Sequence, residues 1–308
     1  MDRSGQRVVV TGGAGFVGSQ LAARLGSEND VVVLDNCSTG RREWIPDGAT
    51  FVEGDCTDPT VIAETITART DAVFHCAASK AVDTDQPRRQ FEDNLSMTYN
   101  ILERMTDVGV DRLAYTSSST VYGEAPRPTP EDFGPLEPIS AYGAGKLAEE
   151  GLVSTYAHSH DLQAWVFRFA NIVGPRLRGA VVSDFVEKLR DDPETLVVLG
   201  DGRQEKSYMH ISECLDAMLY VVSHATDALN VYNLGTRTTT SVDRIADIVA
   251  DEMDVNPARE YTGGERGWTG DVPRMRLSIQ KLAALGWEPT QSSDEAVRQA
   301  TRELLAEL

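Results

Sequence analysis

The chain has 308 residues, with 48 acidic against 29 basic side chains and a formal net charge of −19. That balance excludes a general nucleic-acid-binding surface, which needs basic patches to displace counterions. A hydrophobic content of 41% and 25 glycines exclude a disordered chain and suit a globular protein of one large domain or two modest ones.

Lysine is scarce. Lys80, Lys146, Lys188, Lys206 and Lys281 stand among 29 basic residues, the other 24 being arginine. An acidic excess with few lysines resembles the hydrated surfaces of halophilic proteins, where salt screens self-repulsion. No apolar run reaches the roughly 18 residues of a membrane helix. The stretch before Val8 carries no signal-peptide apolar core, so a cytoplasmic protein is the expectation. Cys37, Cys56, Cys76 and Cys214 form no CxxC pair, which predicts reduced thiols and no metal site.

Arg7–Thr11 is a short β-branched run and predicts a buried strand. Gly12-Gly13-Ala14-Gly15-Phe16-Val17-Gly18 follows, and Ser19–Leu25 has helical periodicity. A glycine-rich turn between strand and helix lets backbone approach a pyrophosphate, and the helix N-terminus offers N–H groups to it. Val31–Asp35 is a second strand, ending in an acid 17 residues after Gly18. A carboxylate there accepts from ribose hydroxyls and repels a 2′-phosphate, favouring NAD over NADP, with Arg41 and Arg42 as possible counterweights.

Thr50–Glu53 predicts a third strand, with Asp55 placed to meet the adenine and Asp58 a helix N-cap ahead of Pro59. A fourth strand runs from Asp71 into Cys76-Ala77-Ala78, small residues that leave room for a ligand, and Lys80 comes directly after. An amphipathic helix is expected over 91–108 and a fifth strand over Arg112–Thr116, with Ser117–Gly123 as its loop. A helix over 142–158 and a sixth strand over 163–169 follow. Strands alternating with helices predict a doubly wound parallel α/β sheet of Rossmann type.

After Asn171–Arg176 the alternation breaks. The expected division is a dinucleotide-binding domain over 1–172, with some later segments returning to it, and a smaller mixed α/β substrate-binding domain over 173–308. Helices are expected near 181–190, 211–223, 241–253 and 294–307. Tyr142 and Lys146 stand four apart at a helix start, so phenol and ammonium share one face. An ammonium there favours the phenolate and draws the phenol below its ordinary value of about 10, making it a general base.

The glycine loop, Asp35-Asn36, Gly54-Asp55, Ser117-Ser118-Ser119-Thr120-Val121-Tyr122-Gly123, Tyr142-x-x-x-Lys146 and Arg168-x-x-Asn171-x-x-Gly174-Pro175 stand in one order along the chain. On these motifs, which span nearly all of it, the chain resembles the extended short-chain dehydrogenase/reductases, in particular their NAD-dependent nucleotide-sugar epimerase/dehydratase group. The resemblance implies that Tyr142 is the base at a sugar hydroxyl, that Lys146 holds the nicotinamide ribose, and that Ser118 bonds the same sugar oxygen. It implies NAD contacts from Gly12, Gly15, Phe16, Val17, Gly18, Asp35, Asn36, Asp55, Cys56, Ala77, Lys80, Asn94, Tyr142 and Lys146. Asn94 would steady the backbone of the site, with a plain helix-surface asparagine as the alternative.

Thr120, Asn171, Lys206 and Arg266 would hold the nucleotide sugar, Lys206 standing where the group usually has arginine. His210 reads as structural. Dehydratases of the group carry Asp-Glu where Ser119-Thr120 stands here, and decarboxylases usually carry glutamate at the second position. Without those carboxyls, the implied reaction is C4 epimerisation of a sugar of the UDP-glucose/UDP-galactose type. Net dehydrogenation or reduction, another epimerisation or decarboxylation of a nucleotide sugar, and a non-catalytic NAD-binding protein are the alternatives. The group's dimers pair the helices at 91–108 and 142–158, so a homodimer is expected, against those faces merely covering the sheet.

Overall fold

The computed structural model describes residues 4–80 and 85–307. In chain order the elements are β1 (Arg7–Thr11), α1 (Phe16–Leu25), β2 (Asp30–Asp35), β3 (Thr50–Glu53), α2 (Pro59–Thr65), β4 (Ala72–His75), α3 (Pro87–Val108) and β5 (Arg112–Ser118). Then come α4 (Ala141–Ser159), β6 (Gln163–Phe169), β7 (Asn171–Val173), α5 (Val181–Asp191), β8 (Thr195–Val198), β9 (Glu205–Lys206), β10 (Tyr208–His210) and α6 (Ile211–His224). The remainder is β11 (Leu229–Leu234), β12 (Thr240–Ser241), α7 (Val242–Met253), β13 (Ala258–Tyr261), β14 (Arg274–Met275), α8 (Gln280–Leu285) and α9 (Ser293–Glu307). They group into two compact units that interleave along the chain. The first takes the chain up to Ser118, Ala141–Phe167 and Val221–Val231; the second takes Ser119–Ser140, Arg168–Tyr220 and the chain from Tyr232 on.

The central sheet has seven strands in the order β11-β6-β5-β4-β1-β2-β3. From β3 to β5 neighbouring strands pair in parallel. Along the β6–β11 edge the bonds advance in step, Ala164 N–H to Ala228 O and Ala170 N–H to Leu234 O, each 2.8 Å. The registers Thr11↔Leu34, Thr11↔His75 and His75↔Tyr115 line up the carboxyl ends of four strands. The order reverses between β1 and β4, which is where a parallel sheet opens a crevice for a ligand. Continuous Val and Leu runs make this sheet, because both of its faces are covered and no alternation is needed. Val9, Val32, Val73 and Leu113 meet Ile101, Leu102 and Met105 of α3 and Val153 of α4 in one core.

Six strands are legible in sequence and the structure adds a seventh, β11. Its Leu-Asn-Val-Tyr-Asn-Leu breaks the apolar run with two buried asparagines. Each is satisfied: Asn230 donates to Ala164 O and Asp227 O, and Asn233 to Thr129 O and Ser278 O. Helix α3 begins at Pro87, where proline at a first helical position loses no hydrogen bond. The second unit packs α5, α7 and α9 through Phe185, Leu189, Ile248, Val297 and Leu304, each at most 2% exposed. Its strands form three small sheets, β7 with β10, β8 with β13, and β12-β9-β14. Among the described residues no helix is long and apolar enough to cross a membrane.

Candidate active site

The first unit builds a dinucleotide cradle at the ends of β1, β2 and β4. Gly12 has φ +67°, and a Cβ there would stand 2.6 Å from Ala77 N. A Cβ at Gly18 would stand 2.2 Å from Gly12 O, so side chains would push the turn open. Gly15 caps α1 without a side-chain bond, and the first turn over Phe16, Val17 and Gly18 holds no acid. The first N–H groups of a helix have no intrahelical acceptor, and with no acid in this turn they suit an anionic pyrophosphate.

Asp35 is 9% exposed and accepts from Ala14 N at 2.9 Å and Cys37 N at 2.7 Å. These bonds fix its carboxylate and leave lone pairs for a ribose. Asn36 donates to Asp55 at 2.9 Å, and Thr57 donates to Asp55 through backbone and hydroxyl. Burial works to raise the Asp55 carboxyl, and these bonds outweigh it and hold it below its ordinary value. The Cys56 side chain belongs to the core, where burial and then Asp55 push its thiol up to about 12, and its carbonyl accepts from Asn100 Nδ2 at 3.1 Å, so any contact with a ligand falls to its backbone.

Ala77 donates to Thr11 Oγ1 at 3.3 Å. Asn94 is 1% exposed and clasps the loop after β4, accepting from Ser79 N at 2.7 Å and donating to Ser79 O at 3.0 Å. It is therefore not a helix-surface residue. Lys80 is exposed at the end of the described loop. These residues fit a dinucleotide cofactor in shape and charge.

Ser118 ends β5, and Tyr142 and Lys146 lie on the first two turns of α4. Lys146 is 1% exposed, with Nζ 5.9 Å from the Tyr142 ring centroid and 4.7 Å from that of Tyr115. It donates to Tyr115 OH at 3.1 Å and pairs with Glu149 at 3.6 Å. Burial raises the Tyr142 phenol above its ordinary value, Lys146 pulls it down, and Glu149 pushes it up again. The spacing alone gives the pull of Lys146; it misses burial and Glu149, which together reverse the net direction. Ser117, beside Ser118, is tied inward to Glu150 at 2.5 Å.

In the second unit Thr120 is half-buried. Asn171 sends its side-chain amide to Ser207 O at 3.2 Å. Lys206 stands 4.8 Å over the Trp268 ring and pairs at 2.5 Å with Asp271, which is 2% exposed. Asp271 also accepts from Gly267 N at 3.1 Å. Arg266 bonds Asp271 O and the Glu124 carboxylate. Glu124 lines an open cavity of about 410 Å³ with Arg127, Asp201, Arg203, Glu265 and Arg274. Both candidate phosphate cations thus carry carboxylate partners already.

His210 spends both ring nitrogens, on Ser212 at 2.7 Å and Glu303 at 2.8 Å, in keeping with a structural histidine. Sequence reasoning missed the buried Arg168–Tyr122–Asn233 bonds, both 2.8 Å, that brace the segment after Ser118. Among the described residues no group of three or more His, Cys, Asp or Glu is arranged to hold a metal.

A sequence profile of the NAD-dependent epimerase/dehydratase family matches residues 8–235. A crystal structure of a UDP-galactose 4-epimerase superposes with a TM-score of 0.90 at 39% identity, covering 98% of this chain and 100% of that one. A UDP-glucose 4-epimerase of Mycolicibacterium smegmatis is 31% identical over 94% of this chain and 96% of its own length. UDP-glucuronic acid decarboxylase 2 of Arabidopsis thaliana is 34% identical over 94% of this chain and 66% of its own.

Proposed function

This chain belongs to the NAD-dependent epimerase/dehydratase family, and we propose that it interconverts UDP-galactose and UDP-glucose by inverting C4. The observation that carries this reading is local. Tyr142 and Lys146 share a face of α4, Ser118 ends β5, and the next two residues, Ser119 and Thr120, bear no carboxyl group. The site has a base for a hydroxyl proton and lacks the acids that elimination needs.

When bound, NAD would supply the hydride acceptor and donor for C4. Tyr142 takes the 4-hydroxyl proton as the carbonyl forms and gives it back to the same oxygen when the ketone is reduced on its other face. Ser118 bonds that oxygen in both states, and Lys146 orients the nicotinamide ribose and favours the charged phenol. The glycine loop, Asp35, Asn36, Asp55, the Cys56 backbone, Ala77, Lys80 and Asn94 hold NAD or brace its site. Thr120, Asn171, Lys206 and Arg266 hold the sugar nucleotide, and the two cations exchange part of their carboxylate pairing for diphosphate.

Incubation with NAD and UDP-galactose, with nucleotide sugars separated chromatographically, tests the reading. UDP-glucose is expected, with no lasting absorbance at the NADH band. Stoichiometric NADH would point to a dehydrogenase instead. The 34% identity to a decarboxylase favours a second reading; it requires UDP-glucuronate to release CO₂, an arm of the same panel, and the absent glutamate at Thr120 counts against it. We further read the protein as a cytoplasmic homodimer joined through α3 and α4, where Tyr99 is 43% exposed and meets Tyr156 edge to face. Its acidic surface is suited to high salt. Sedimentation in concentrated KCl tests both properties.

A further inference from the structure

Glu149 lies three residues after Lys146 and is fully buried. In the first unit a chain of hydrogen bonds runs from Ala77, just after β4, through Thr11 of β1 to this carboxylate. Ala77 N–H donates to Thr11 Oγ1 at 3.3 Å, and Thr11 Oγ1 meets His75 Nδ1 at 2.7 Å. His75 Nε2 meets Thr98 Oγ1 at 3.1 Å, and Thr98 donates to Glu149 Oε2 at 2.7 Å. Because the Thr98 proton is spent on Glu149, Thr98 must accept from His75, which places the imidazole hydrogen on Nε2. Nδ1 then accepts from Thr11, so every donor points the same way and the chain ends on Glu149. The same Oε2 faces Lys146 at 3.6 Å, while Oε1 is buried without a hydrogen-bond partner among the described residues.

A carboxylate with one oxygen unshared, buried against the helix turn that carries the base, is an electrostatic element of the site. We propose that Glu149 is a positioning residue for the reaction, a buried carboxylate that pins the Lys146 ammonium and sets its charge against the phenolate of Tyr142. The strength of the base is then a balance struck inside one helix, Lys146 favouring the phenolate and Glu149 opposing it. The other titratable groups that interact with Glu149 are Tyr142 on α4, Tyr115 on β5, and His75 of β4 through Thr98, while Glu150 acts on Tyr115. His75 adds no charge near neutrality, because burial and then Lys146 push its imidazole down to about 3. The phenols of Tyr142 and Tyr115 are both raised, burial being the largest cause and Glu149 a further one.

This inference rests on the reading of Tyr142 as the base, and its test uses no substrate. Tyrosinate absorbance is titrated in the cofactor-free protein with and without Tyr142→Phe, and the difference isolates Tyr142. Glu149→Gln keeps an oxygen for Thr98 and removes the charge. It is expected to move the Tyr142 midpoint down by on the order of one to two pH units. An unchanged midpoint with only a lower melting temperature would make Glu149 a structural brace and overturn the proposal. If Glu149→Gln does not fold, Glu149→Asp decides: a smaller downward shift supports the proposal and none overturns it. A wrong choice of sugar would leave this titration untouched and appear only in the product panel.

Discussion

Two lysines, Lys146 buried at 1% exposure and Lys206 half-buried, show how differently the two units are built. In the first unit Lys146 sits on a long helix, held by a tyrosine hydroxyl at 3.1 Å and a carboxylate at 3.6 Å. In the second unit Lys206 sits on a two-residue strand, locked to Asp271 at 2.5 Å beneath an indole. The loose pairing leaves the first lysine's field available to a neighbouring phenol. The close pairing neutralises the second. Under the proposed function the first cation would tune a proton transfer and the second would give up its carboxylate to a phosphate.

The contrast is sharpest in activity. Tyr142→Phe should lower kcat by about 10²–10⁴-fold while KM changes little; steady-state kinetics check this, and a change confined to KM would erase the distinction between the units. Lys206→Met should do the reverse, raising KM for a nucleotide sugar with kcat nearly kept. It also strands Asp271 at 2% exposure and should cost about 3 kcal/mol of stability by denaturant unfolding.

A third effect belongs to the first unit alone. His75 is held near 3, below its ordinary 6.5, so below pH 6.5 the unfolded chain takes up a proton that the folded chain refuses. The stabilisation is complete above pH 6.5 and is lost as pH falls toward 3, about 2 kcal/mol of it by pH 5. His75→Asn should flatten that part of the stability profile by about one proton. The smallest effect is Arg266→Gln in the second unit. Its pair with Glu124 is exposed at 41% and 49%, so stability should move by less than about 1 kcal/mol while KM rises.

The first unit was the more legible in sequence because its information is periodic. The β-branched runs, the glycine turn and the four-residue spacing of Tyr142 and Lys146 each imply a geometry directly. What escaped was chemistry set by burial. Glu149, in Lys-Leu-Ala-Glu-Glu, reads as a solvated helix acid, and nothing local announces that Thr98 and Tyr115 enclose it. Burial also reverses the net direction expected for the Tyr142 phenol. In the second unit the pairs that matter are distant in sequence, Lys206 with Asp271 and Arg266 with Glu124. Motifs can place one member of such a pair and say nothing of the other. The seventh strand stayed hidden for a related reason, since two asparagines satisfied only by tertiary partners interrupt it.

The most direct measurement is a time course of UDP-galactose with the protein and NAD, following UDP-glucose by chromatography and NADH by absorbance together. The account predicts that UDP-glucose accumulates to an equilibrium mixture with no net NADH, and that Tyr142→Phe slows the conversion by about 10²–10⁴-fold. NADH rising in proportion to substrate consumed, or conversion at the normal rate without the Tyr142 hydroxyl, would contradict it.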